Sequence, residues 1–375
     1  MTGRTAISAF AATLAIAATP AAAFAQDAPA EPAVVDPAVA AAAAPRAGTE
    51  VPPTATTPTT PTPPPARAPP TRTPTRRAVR RARARIGAAF ESGVYRVGSS
   101  TLTVPGRVVH ITGRIVPYVP RQKVRVRIWL GGRLAKQVTV TPKPTKTKQT
   151  ATFRAKFTAG KLGDVRVFAV HEQTPEQAAA QSKAAAVDVV APLAGFGTDS
   201  PFVALLQQKL ADLGYAVPRT GVYDAGTGDA VEAYRKVLGS ARLKTIDGAV
   251  VDKLLRGQGG YKVRYPDHGR HVEANLSQQV LALIENGRVL RAYTTSSGAS
   301  VTPTVLGNYR FYWKQPGVNN RGMVHSSYFI RGYAIHGYPS VPTYPASHGC
   351  LRVPIRVALD IYNWVQLGDQ IDVYY

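Results

Sequence analysis

The chain holds a single cysteine, Cys350, so it can form no disulfide within itself. It is also short of acid: 22 Asp and Glu stand against 46 Lys and Arg, a formal charge of +24. That balance directs the chain to polyanionic surroundings, which are nucleic acid, anionic lipid or phosphate-bearing polymers. No apolar run reaches the ~20 residues that a membrane span needs. The longest candidate, residues 6–18, is followed at once by Pro20. His268, His271, His325, His336 and His348 are scattered, with no cysteine or acidic partner at zinc-site spacing, so no metal and no cofactor is expected.

Residues 1–25 have the pattern of a secretory signal. Arg4 gives a positive start, Phe10, Leu14 and Ile16 lie in a short apolar stretch, and Ala23-Phe24-Ala25 fits a small-x-small cleavage site before Gln26. Retention as an uncleaved anchor stays open. Export removes nucleic acid from the list of partners and sets the expected location outside the cytoplasmic membrane. Residues 26–90 are Ala-, Pro- and Thr-rich, then strongly basic from Arg67 to Arg85. Such a segment buries too little apolar surface to offset its ordering entropy and is expected to be a semi-rigid, disordered spacer. Its arginines are either a solvated tail or a tether to anionic envelope polymers or lipid head groups.

Residues 91–192 alternate with period two. Val109, Ile111 and Ile115 form one such set, Val124, Val126, Ile128 and Leu130 a second, and Phe153 and Phe157 a third. Gly131-Gly132 and Gly160 supply turns. Several short strands with turns between them predict an immunoglobulin-like β-sandwich. In residues 194–260 the period becomes helical: Val203, Leu206, Leu210 and Leu213 share a face, and Gly214 follows as a stop. Residues 224–228 read as a loose, glycine-bearing turn before a second helix with Val231, Tyr234 and Val237, and Val251, Leu254 and Leu255 mark a third. The stretch Leu205-Leu206-Gln207-Gln208-Lys209-Leu210, Leu213-Gly214-Tyr215, Gly221-Val222-Tyr223, Ala230-Val231 and Tyr234 resembles the small three-helix peptidoglycan-binding domain. The resemblance implies a wall-binding module whose removal weakens binding to insoluble polymer but spares turnover of small soluble substrates.

Residues 262–375 return to β. Asn286-Gly287 is a strong hairpin signal between two apolar runs. Ile355, Ala358, Leu359, Tyr362 and Val365 mark a C-terminal helix, and Ile371 to Tyr374 a last strand. Cys350 lies in Ser347-His348-Gly349-Cys350-Leu351-Arg352, a polar, flexible setting that suits an exposed turn better than a packed strand. A cysteine with a histidine nearby is the minimal kit for a thiolate nucleophile and its base. Read as a loop just before a helix N-terminus, this position is expected to lower the thiol pKa.

Ile335-His336-Gly337 with the Ser347–Arg352 motif, and Thr302-Pro303-Thr304 upstream, is similar to the signature of the L,D-transpeptidase catalytic domain, or YkuD domain. The fold class that follows is multidomain: a mainly-β sandwich, a small all-α module and a mainly-β catalytic domain with a C-terminal helix. The resemblance implies a cysteine-dependent acyltransferase (EC 2.3.2.-) acting on peptidoglycan stem peptides in cell-wall cross-linking. Cys350 is the implied nucleophile and His336 the base. The Gly337 carbonyl would orient the imidazole, His348 and Gly349 would shape the nucleophile loop and oxyanion site, and Ser347 would hold that loop by hydrogen bonds. Arg352 is the implied carboxylate ligand or a cap for the following structure; Tyr338, Tyr333 and His325 either line the substrate groove or pack. L,D-carboxypeptidase activity and a non-catalytic wall-binding role are the alternatives.

Overall fold

The computed structural model describes residues 81–375, so the signal segment, the spacer and the basic run up to residue 80 lie outside the described residues. Eleven strands come first: β1 (Arg85–Ser92), β2 (Tyr95–Val97), β3 (Ser100–Thr103), β4 (Val108–Val116), β5 (Val124–Leu130), β6 (Arg133–Val140), β7 (Lys143–Pro144), β8 (Ala151–Thr158), β9 (Gly163–His171), β10 (Ala180–Gln181) and β11 (Ala185–Val189). They make two sheets, one in the order β1-β4-β8-β7 and one in the order β2-β3-β11-β9-β5-β6 with β10 on β9. The alternating residues Val109, Ile111, Ile115, Val124, Val126, Ile128, Phe153 and Val167 meet in one core between them. β1 begins at Arg85, so the end of the basic run is strand rather than spacer. Ile86, Ala88 and Phe90 of this strand pack against the core.

Three helices follow: α1 (Pro201–Asp212), α2 (Ala225–Val237) and α3 (Gly248–Leu255). Each is capped as its sequence dictates, by Ser200, Asp224 and Asp247, whose side chains accept from the backbone amide three residues on. Residues 225–228 are therefore the first turn of α2, not a loose loop. The glycines there serve close approach: a Cβ at Gly228 would lie 2.9 Å from the Phe196 ring, and one at Gly226 2.7 Å from Pro218.

The C-terminal part has two sheets. β12 (His271–Asn275), β13 (Val280–Glu285), β14 (Arg288–Thr294), β15 (Gly307–Arg310) and β20 (Gln370–Tyr374) run in the order β14-β13-β12-β20-β15. β16 (Trp313–Val318), β17 (Val324–Ile330), β18 (Tyr333–Tyr338) and β19 (Leu351–Pro354) form the second sheet in chain order, and α4 (Ile355–Trp364) packs on β17 and β18. The β13–β14 hairpin turns at Asn286 and Gly287, both at positive φ, as its sequence predicts. Val272, Leu281, Leu283, Ile335, Leu351, Val353, Ala358 and Ile361 fill the space between the two sheets and α4.

The three parts do not keep separate cores. β13 is apolar on both faces. Leu281 and Leu283 enter the core between the two C-terminal sheets, whereas Val280, Ala282 and Ile284 join Val203, Leu206, Val231 and Tyr234 of the helical module in a second core. Leu102 and Val104 of the sandwich likewise pack with Phe202, Leu205, Val251 and Leu255. The described residues accordingly form one compact unit. Deleting residues 194–260 would therefore strip the cover from a face of β13 and expose the core of the C-terminal sheet to water.

A buried ion pair bolts the same interface. Lys236 and Glu232, both with side chains 0 % exposed, pair at 2.8 Å within α2. The Lys236 ammonium also donates to Gln279 O, Thr294 Oγ1 and Thr295 O, beside β13 and at the end of β14, at 3.2, 2.6 and 3.1 Å. Burial pulls the lysine pKa down while Glu232 pushes it back up. Lys236→Ala leaves the Glu232 carboxylate buried without its cation, a change that costs about 3–5 kcal/mol. A urea titration should show a matching fall in midpoint; an unchanged midpoint would mean that the pair holds nothing together.

Candidate active site

The site lies on β18 and β19, which pair in parallel with His336 opposite Arg352 and Ile335 opposite Leu351. Strand alternation does the sorting. Ile335, Leu351 and Val353 point into the core between the sheets, which leaves His336, Arg352 and, one residue before β19, Cys350 on the opposite face. Cys350 is half-buried and packs against Met323, Tyr328 and Ala334. By strand geometry its Cα and that of His336 are about 8 Å apart, one strand over and two residues along, within reach of converging side chains.

The expected placement before a helix is corrected here. Four residues of β19 separate Cys350 from α4, so the thiol has no helix N-terminus beside it. Its pKa is raised by burial, against the lowering effect of a hydrogen bond from the Ala334 backbone and the charges of Arg352 and Arg321. The resting group is a neutral thiol.

His336 is the complementary partner. It is 3 % exposed, and its Nδ1 lies 2.9 Å from Gly337 O. A carbonyl only accepts, so Nδ1 carries the proton and Nε2 keeps a free lone pair. Burial lowers the imidazole pKa to about 4, and the Arg352 charge adds to this against the Gly337 hydrogen bond. A neutral thiol and a neutral imidazole therefore share one face of the β18–β19 pair. Since only the unprotonated imidazole can take the thiol proton, acylation of Cys350 should fall on acidification with a midpoint close to 4, not at the ordinary histidine value. Stability follows the same sign. A depressed pKa contributes stability above the unfolded value near 6.5 and loses it as pH falls through the folded one, here roughly 3 kcal/mol. Rates of thiol alkylation and melting temperatures between pH 3 and 8 check both.

The loop of residues 347–350 is held by its own backbone and by residues well upstream. Ser347 Oγ accepts from the Gly349 amide at 3.0 Å and donates to Cys350 O at 2.6 Å. Thr302 Oγ1 donates to Ser347 O and Thr304 Oγ1 to Gly349 O, at 2.9 and 2.8 Å. Backbone bonds of 3.0 Å in both directions join Ser296 to Arg352. Gly349 adopts φ +112°, and a Cβ there would sit 1.9 Å from the Tyr333 ring, so no other residue fits that turn. Gly337 permits the close packing of α4, since a Cβ would meet that of Ala358 at 2.7 Å.

The remaining candidates separate clearly. The Gly349 amide is already taken by Ser347, while those of His348 and Cys350 have no acceptor among the described residues. The His348 side chain is exposed. Tyr333 supports the loop from the core side. The Arg352 guanidinium lies over the Tyr338 ring at 4.2 Å, and that ring stands edge-on to His336 at 5.7 Å. His325 is not brought to this group. One extra residue in β17 between Val324 and Ser327 interrupts its register with β18. His325, at φ +51°, accepts from the Gly317 amide and lies against Tyr362 of α4. Sequence reasoning missed Met323 and Arg321, on a turn that Asn319 closes by accepting from both of their amides. An Asn at the head of a short polar loop is the local signal that was available.

Two family models match the chain. Residues 269–373 match the family model described as the L,D-transpeptidase catalytic domain, YkuD, and residues 199–240 match a putative peptidoglycan binding domain. Among solved structures, the chain is similar to an L,D-transpeptidase from Xylanimonas cellulosilytica, at 32 % identity over 48 % of this chain and 96 % of that one, with a TM-score of 0.45. It is also similar to an L,D-transpeptidase from Stackebrandtia nassauensis, at 18 % identity over 48 % and 94 % of the two chains, with a TM-score of 0.32. L,D-transpeptidase 1 of Mycobacterium tuberculosis aligns at 23 % identity over 28 % and 61 %, with a TM-score of 0.24. No curated protein matches the chain.

Proposed function

Taking as premise that the chain belongs to the L,D-transpeptidase family, we propose that Cys350 transfers the acyl group of one peptidoglycan stem peptide to an amine of a second. His336 Nε2 takes the thiol proton as Sγ attacks the carbonyl carbon of the L-centred third residue. The His348 and Cys350 amides, without acceptors among the described residues, hold the resulting oxyanion. Collapse breaks the bond to the terminal D-alanine, whose amine leaves with the proton from the imidazolium. The thioester is then attacked by the amine of a second stem, His336 accepts that amine's proton, and the thiol is restored. The observation that carries this reading is the bond from His336 Nδ1 to Gly337 O, which supplies a base with its lone pair free. Such chemistry belongs outside the cytoplasmic membrane, with the helical module on the polymer and the basic run at residues 67–85 on anionic envelope polymers or lipid head groups.

Incubation with a purified disaccharide tetrapeptide, followed by mass spectrometry, tests the proposal: the expected product is a cross-linked dimer with loss of one D-alanine. Tripeptide alone would make the protein a carboxypeptidase, and an unchanged substrate would remove the enzymatic reading. No carboxylate among the described residues pairs with Arg352, which suits it to a stem carboxylate. Arg352→Lys should raise KM for the peptide about tenfold, since an ammonium cannot make the planar paired contact. Equal losses with a small acylating agent would instead make Arg352 a support of the loop.

A further inference from the structure

We propose that the cleft between the helical module and the catalytic sheet is a second part of the substrate site, holding a carboxylate of an acidic peptide. This rests on the reading of Cys350 as a nucleophile toward stem peptides. The cleft has a volume of about 400 Å³, with Asp229 and Lys244 on one wall and Tyr338, Pro339, Val341 and Arg356 on the other. It adjoins the site through Tyr338, whose ring also contacts the Arg352 guanidinium and His336.

Its charge is unbalanced toward positive. Asp229, 7 % exposed, is shared by two cations: Lys244 at 2.7 Å and the Arg356 guanidinium. Lys244 and Arg356 are 42 % and 46 % exposed, so each keeps donors free for a ligand. Glu232 Oε2 lies 3.9 Å from Lys244, but the charge of Glu232 is met by buried Lys236. Three cations thus face two carboxylates, and an incoming carboxylate completes the set. Pro339 and Val341 offer the apolar surface that suits small side chains such as alanine.

The wall is preorganised by the helical module. Arg242 donates to Thr343 O at 2.6 Å and to Ser277 O at 2.9 Å, which pins the loop between β18 and the nucleophile motif. Ser296 Oγ fixes the next residue of that loop through Tyr344 O at 2.7 Å. A loop held at both points presents Pro339 and Val341 without paying for ordering when the peptide arrives.

Binding measured in the full chain carrying Cys350→Ala separates this proposal from the chemistry, because no turnover is needed. The probe is the stem tetrapeptide, free or with its carboxylates amidated one at a time. Lys244→Gln and Arg356→Gln should each weaken the free peptide about three- to tenfold, as expected for exposed charge-assisted contacts. One of the amidated peptides should bind the parent with the same deficit and should be indifferent to Lys244→Gln. Lys244→Arg should keep the affinity, which distinguishes lost charge from a loosened interface. No weakening in either glutamine variant, or equal weakening of free and all amidated peptides, overturns the cleft. A protein that binds in this way but never releases D-alanine with Cys350 intact would overturn the transfer reading and leave the cleft standing.

Discussion

Cys350→Ala should lose acyl transfer by a factor on the order of 10⁴ or more while the protein stays folded. The loss is large because the account gives covalent attack to one atom, and the chain has no other thiol to replace it. The fold survives because nothing in the loop's support uses Sγ. Ser347 Oγ, Thr302 and Thr304 hold the turn through backbone carbonyls and an amide, and the Ser296–Arg352 bonds are backbone to backbone. The thiol's polar contacts are to the backbone of β18 and the turn before it: it lies 3.7 Å from Gly332 O and beside the Ala334 backbone, and both are weak for sulfur. Removing a half-buried sulfur from beside Met323 and Tyr328 costs about 1 kcal/mol, so the melting temperature should move by only a few degrees. Residual turnover by the folded variant would take the nucleophile role away from Cys350.

His336→Asn should lower acylation by about 10²–10⁴ at neutral pH, the range for a lost general base. Its pH profile is the sharper signature. Burial raises the Cys350 pKa and lowers that of His336, so the thiol does not ionise at neutral pH by itself. Without the imidazole, the rate should climb about tenfold for each pH unit below the thiol pKa, as hydroxide does the work of the base. The unmodified protein should instead be flat above pH 5–6. A variant whose profile parallels that of the unmodified protein would show that His336 supports the sheet and does not handle the proton.

Much of the site could be read from the chain because its parts are close in sequence and chemically distinctive. The lone Cys350, with His336 fourteen residues earlier beside Gly337, needs no tertiary knowledge to be singled out. The hairpin at Asn286-Gly287 follows from local backbone preference. Other features were hidden by size or distance. Leu351-Arg352-Val353-Pro354 is too short for its alternation to stand out, so β19 read as the approach to a helix and suggested a lowered thiol pKa. A single extra residue in β17 reverses the side on which His325 falls, and nothing local in its sequence marks that insertion. Residues 224–228 read as loose because their glycines obscured a helix start, although Asp224 was the cap in plain view. The shared cores are a tertiary property. Val280, Ala282 and Ile284 announce a strand buried on both faces, but they do not say that the helical module covers one of them.

The most direct test of the central claim is the intact mass of the protein rapidly quenched in acid after mixing with the stem tetrapeptide. The account predicts an adduct equal to the donor minus D-alanine, mapped to the peptide that contains Cys350, formed by the unmodified chain and absent from Cys350→Ala. Product formation with no such adduct at any quench time, or an adduct on another residue, would contradict it.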